Sequence, residues 1–133
     1  LKECNGDWII AYGHHPWRSI GYHGNSNGDD NLEQFFKDIF SEIQPDIYMS
    51  GHDHSKQYIK KHYKNKNINL IVSGAGGKTN YGEEFKINNM FDCDLFYASN
   101  NLGICYFKCY KNKIIIEFYD ENNLLEFSYN IKK

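Results

Sequence analysis

Two apolar runs, residues 8–12 and 46–50, each stop at a glycine that is followed at once by histidine, giving Gly13-His14 and Gly51-His52-Asp53-His54. Between them Leu32, Phe35, Phe36, Ile39, Phe40 and Ile43 recur at steps of three and four, the spacing of one apolar helix face. Strand, helix, strand in that order makes a right-handed crossover between parallel neighbours. That fixes the class as α/β and sends both histidine stretches to the same edge of one sheet. Asp29 or Asp30 is expected to cap the helix, and Gln44-Pro45 to end it. Burying its face contributes ~1.5–3 kcal/mol per large side chain before entropy, enough to pin it on the sheet.

Glycine is the residue that most readily lets a chain leave a sheet, so both histidine stretches are expected where strands end. In open α/β sheets, ligands bind at the carboxyl ends of strands. If the backbone after Gly51 stays extended, His52 and His54 face one spot and Asp53 another. His14, at the neighbouring strand end, would join them. Three neutral imidazoles in one place suit zinc, iron and similar ions. By the same alternation His15 points away from His14 and is structural or superficial, while Asp53 holds a turn or hydrogen-bonds behind the site. His62, among Lys60, Lys61 and Lys64, is expected in solvent.

After residue 54 the pattern predicts strands at 57–63 and 69–73, joined by a polar turn at 64–67, then a glycine loop from Gly74 to Gly77. Residues 81–101 read as a long mixed loop. From residue 104 the pattern becomes an antiparallel meander with strands at 104–110, 113–119 and 124–131. On it Ile114, Ile116 and Phe118 are expected in the core with Leu125, Phe127 and Tyr129. Gly77-Lys78-Thr79 ends like a phosphate-binding P-loop. The motif needs a glycine where Val72 stands, and no helix pattern begins after Thr79, so that reading is set aside.

At 133 residues, 41% apolar and 17% aromatic, the chain can bury a core. The formal charge is -2 with no basic stripe, which gives no sign of a nucleic-acid partner. The longest apolar runs, such as Ile114-Ile115-Ile116, are far too short to cross a bilayer as a helix. Cys4, Cys93, Cys105 and Cys109 lack metal-knuckle spacing. They could pair in an oxidising compartment, though Cys105 and Cys109, sharing a face with Phe107, are read as small buried residues. No leader-like segment opens the chain, and Leu1 in place of an initiator Met leads us to expect residues upstream.

Ala11-Tyr12-Gly13-His14 and Gly51-His52-Asp53-His54, in this order, resemble the Val-x-x-His and Gly-His-x-His motifs of the metallophosphoesterase (calcineurin-like) superfamily. Within it the chain looks most like the low-molecular-weight purple, or tartrate-resistant, acid phosphatases. Trp17-Arg18-Ser19-Ile20, His23 and Ser73-Gly74-Ala75-Gly76 extend the resemblance. The family's earlier motifs, an Asp, Gly-Asp-x-x-Tyr and Gly-Asn-His, are absent. The resemblance therefore implies that residues 1–133 are the C-terminal part of a single domain, a four-layer α/β/β/α sandwich with a mixed sheet and a C-terminal antiparallel meander.

By that resemblance the activity is hydrolysis of a phosphate monoester, by hydroxide formed on Fe(III) and a divalent ion (Fe, Zn or Mn). His54 would bind the iron, and His14 and His52 the divalent ion. His23 would be catalytic and substrate-binding, holding phosphate or protonating the leaving oxygen; imidazole, largely protonated in acid, suits that role. The remaining ligands, and with them the N-terminal half of the domain, would come from elsewhere. The resemblance also implies a secretory, extracellular, endolysosomal or vacuolar location. Some relatives of this fold have lost ligands and act as scaffold subunits or membrane anchors, which is the alternative reading.

Overall fold

The computed structural model describes residues 6–24, 30–80, 82–87 and 90–133. In chain order the elements are β1 (Ile10–Tyr12), α1 (Asp30–Glu42), β2 (Ile47–Ser50), β3 (Lys56–Tyr63), β4 (Lys66–Ser73), β5 (Cys93–Ser99), β6 (Gly103–Cys109), β7 (Lys113–Asp120) and β8 (Leu125–Lys132). A five-stranded mixed sheet has the order β1-β2-β4-β3-β5, and a three-stranded antiparallel sheet the order β6-β7-β8. β1 and β2 are parallel neighbours, with Ile10 opposite Ile47, as the strand-helix-strand order requires. β1 lies at the margin of its sheet and pairs on one side alone among the described residues.

Alternation along the central strands separates two cores. Tyr48, Ile59, Ile68 and Leu70 point to one face and meet Trp17, Phe36 and Phe40. Ile47, Tyr58 and Ile71 point to the other, against Ile114, Ile116, Phe118 and Ile131 of the meander. β4 is thus covered on both faces, which is why residues 68–72 are almost unbroken in apolar character. The described residues form a helix, a mixed sheet and an antiparallel meander packed in that order.

Several expectations need correction. Residues 81–101 are not all loop, because β5 pairs antiparallel with β3 through a bulge between Tyr58 and Ile59. As an edge strand it has no buried residue and carries little periodic signal; Leu95-Phe96-Tyr97 is the trace it leaves. The helix face is narrower than its spacing suggests, with Phe35 54% and Ile39 41% exposed, since the three-residue β1 is too short to cover them. Leu125 is exposed as well. A register shift between Phe118 and Tyr119 sets Tyr119 opposite Leu125. Glu126 is turned toward Lys56, with which it forms an ion pair. Cys105 is half-buried and packs against the inter-sheet core, burial pushing its thiol up to about 12, whereas Cys109 at the end of β6 is exposed. Cys4 and the expected cap at Asp29 lie outside the described residues, as does the side chain of Asp30.

Candidate functional site

Beyond Tyr12 and Ser50 the two strands stay in register for two more residues: Gly13 N–H donates to Met49 O at 3.0 Å and Gly51 N–H to His14 O at 3.1 Å. Gly13 is required by packing, because a Cβ there would lie 2.5 Å from the Tyr48 hydroxyl, which itself donates to His15 O at 2.8 Å. Burial of Tyr48 pushes its phenol up to about 12, keeping it a donor.

His14 Nε2 stands 3.0 Å from His52 Nδ1, so the two strand ends do bring these imidazoles together. The backbone after Gly51 is not extended. His52 adopts φ 60 and the segment folds into tight turns, with Asp53 N–H donating to Gly51 O at 2.7 Å and Ser55 N–H to Asp53 O at 2.8 Å. Alternation therefore fails here. His15, expected to point away, has its ring 4.8 Å from that of His14 and 4.5 Å from that of His52. The ligating atoms of His14, His15 and His52 all lie within 4.8 Å of one another. His54 is not part of that group; its ring is 6.5 Å from His23, whose own ring is 4.2 Å from His52. His62 is half exposed, with Nε2 3.1 Å from Asp94 Oδ2 and Nδ1 3.0 Å from Asn67 Oδ1.

The donor set can be tested against a metal. Three imidazole nitrogens around one point match the ligand chemistry of a zinc- or iron-type ion, which His14, His15 and His52 would hold. Burial, then the neighbouring imidazoles His23, His15 and His14, hold His52 below the ordinary histidine range, favouring the neutral form that can ligate. A bridging carboxylate is missing from this set, because Asp53, the acid nearest in sequence, is fully buried and used elsewhere. It accepts from the Ser19 hydroxyl and, at 2.8 Å, from His23 N–H.

That carboxylate belongs to a network that sequence reasoning did not find beyond Asp53 itself. Gln57 Nε2 donates to Ser19 Oγ at 2.9 Å and Ser55 Oγ at 2.7 Å, and Gln57 Oε1 accepts from Ile20 N–H at 3.0 Å. From the other side Arg18 pairs with Glu33 of α1 at 2.6 Å and with Asp92 at 3.0 Å. The loop bearing His23 is thereby sewn to the histidine turn, to the helix and to the approach to β5. Gly74 completes the packing: its N–H donates to Ser55 O at 3.0 Å, and a Cβ would lie 1.9 Å from Asp53 O. No helix follows Thr79 among the described residues, in line with setting the P-loop aside.

Residues 2–56, which include both histidine stretches, match the calcineurin-like phosphoesterase family. Purple acid phosphatase 17 of Arabidopsis thaliana is 37% identical over 62% of this chain and 23% of its own length. Purple acid phosphatase 4 of the same plant is 31% identical over 90% of this chain and 33% of its length. Among solved structures, GAP50, the anchor in the inner membrane complex of Plasmodium, superposes with a TM-score of 0.75 at 22% identity, over 95% of this chain and 36% of that one. The chain thus spans a third or less of the two curated relatives. With paired strand ends, clustered imidazoles and these matches in agreement, residues 2–56 match the calcineurin-like phosphoesterases and the chain is homologous to part of the purple acid phosphatases.

Proposed function

We propose that this chain is the C-terminal part of an acid phosphatase domain that hydrolyses phosphate monoesters. The observation that carries the reading is the 3.0 Å approach of His14 Nε2 and His52 Nδ1 at two adjacent parallel strand ends, in a chain whose relatives are purple acid phosphatases. His14 and His52 would hold one ion, Fe(III) or a divalent metal, with His15 beside them, and His54 would contribute to a second from the far side of His23. A bound metal pair supplies an activated water at acidic pH and neutralises the phosphate oxygens. His23 is held at its own N–H by Asp53, with its ring against His52, where it would donate to the leaving alkoxide oxygen. The exposed outer face of the meander and the single-sided β1 support an α/β/β/α sandwich whose other half lies in another segment.

Four imidazoles without a carboxylate bridge do not make a two-ion site, so residues 1–133 alone are expected to hold metal weakly and to show no turnover. A chain extended by the missing half is expected to purify with iron and to hydrolyse p-nitrophenyl phosphate in mild acid. Turnover by the isolated 133 residues would refute the proposal. The fold of the GAP50 anchor supports a second reading, a scaffold of the same architecture; elemental analysis of the extended protein separates the two, since a scaffold should purify without iron.

A further inference from the structure

Far from the histidines lies a second chemical feature, at the opposite end of both sheets. β2 and β4 run parallel toward the histidine edge, so the β3–β4 turn at Lys64 sits at the other end. Gly103 N–H donates to Ala75 O at 3.1 Å, which fixes the start of β6 at the histidine edge. The β6–β7 turn and the end of β8 consequently meet at the far end, where Lys133 N–H donates to Asn112 O at 3.2 Å. Lys64, Lys66, Lys111, Lys113, Lys132 and Lys133 gather there in a chain whose formal charge is -2.

Between the two sheets at this end opens a cavity of about 730 Å³. Lys60, Lys66, Lys132 and Lys133 line it, with the carboxamides of Asn69 and Asn130. Asp46 is the one acid in the lining; it pairs with Lys66 at 2.7 Å and accepts from Ile9 N–H at 2.8 Å. Lys60 Nζ lies 4.6 Å from the centre of the Phe96 ring and 5.3 Å from that of Tyr129, and Lys133 Nζ lies 5.6 Å from that of Trp8. Ring faces locate an ammonium without cancelling its charge. Lys60, Lys132 and Lys133 therefore line one cleft with no ion pair among the described residues, beside the Asn130 carboxamide, in a space the size of a small-molecule site.

We propose that this cleft binds a ligand carrying two or more phosphate groups. Several ammoniums separated across a cavity recognise multiple phosphates better than one, each acting as a point charge with three donors. The phosphates could be those of a soluble polyphosphorylated molecule or of lipid headgroups. The test is calorimetric titration of the protein with sodium tripolyphosphate, alongside co-sedimentation with phosphatidylcholine vesicles with and without a phosphatidylinositol bisphosphate. Tripolyphosphate is expected to bind with one-to-one stoichiometry, more weakly as salt rises, and on the order of tenfold or more weakly in Lys132→Glu/Lys133→Glu. Both positions are exposed, and circular dichroism checks that this variant folds. Binding only to the vesicles that contain the bisphosphate lipid, lost in the same variant, assigns the lipid source. Absence of both, or binding that survives the double substitution and disappears in His52→Ala, overturns the proposal.

Discussion

The Asp53 carboxylate accepts the backbone N–H of His23 at 2.8 Å, so a fully buried acid from the Gly-His-Asp-His turn sets the position of a histidine thirty residues earlier. Replacing Asp53 with Ala removes the acceptor of that N–H, at a cost of about 1–3 kcal/mol if no water enters. Asp53→Ala is expected to shift the urea midpoint downward. Faster hydrogen exchange at the His23 amide than at amides of β4 would show that the loss is centred on this loop.

Gly74 and Gly76 make a matched pair. A Cβ on Gly74 meets Asp53 O at 1.9 Å, backbone that cannot step aside, whereas nothing lies within 4 Å of a Cβ on Gly76. Gly74→Ala is expected to destabilise by about 1–3 kcal/mol through overpacking, and Gly76→Ala to be close to neutral. Thermal unfolding of the two variants measures the difference directly.

Lys56, fully buried, forms an ion pair with Glu126 and donates to Leu102 O at 3.2 Å and Tyr119 O at 3.1 Å. Burial would push the Glu126 carboxyl up, but hydrogen bonds from Lys56, Tyr97 and Asn101 outweigh it and hold it below its ordinary 4.5. A carboxyl lowered on folding stabilises above its unfolded value, and that share is lost as pH falls through 4.5 and beyond. Stability is therefore expected to drop below that pH in the wild type, and less steeply in Glu126→Gln. At neutral pH the same variant strands a buried ammonium and should cost on the order of 3–5 kcal/mol, read from denaturant curves.

His52 has the same sign for a different reason. Burial and the surrounding imidazoles favour its neutral form, so the unfolded chain takes up its proton first as pH falls through 6.5. Acidification from neutral to mildly acid conditions is expected to lower the melting temperature, and His52→Asn to reduce that loss. Titration with Co(II), followed by its visible absorption, is expected to reverse the effect in the wild type alone, because the ion takes the place of the proton.

Much of the scaffold was legible because local pattern and tertiary burial agree there. Unbroken apolar character marked β4, spacing marked α1, and the turn residues marked the meander. β5 escaped because an edge strand lets its side chains alternate without a clear burial contrast. The pairing of His14 with His52 follows from strand order, but the place of His15 does not. At His52, φ 60 ends the two-residue alternation that was to carry His54 to the same spot, whereas the His15 ring comes 4.5 Å from that of His52 without any such residue in its own stretch. Ser19 and Gln57 carry no signal, since a hydroxyl and a carboxamide acquire meaning only when folding sets them against Asp53.

The bare flank of β1 carries a cost for handling the molecule. Among the described residues no strand pairs with the outer side of β1, where main-chain donors and acceptors can recruit an extended polypeptide, and Tyr12, 87% exposed, offers that visitor an aromatic surface. Prepared by itself at high concentration, the chain is expected to self-associate along this margin. A proline placed at Tyr12, whose N–H faces away from β2, or a peptide that occupies the margin, should keep it dispersed.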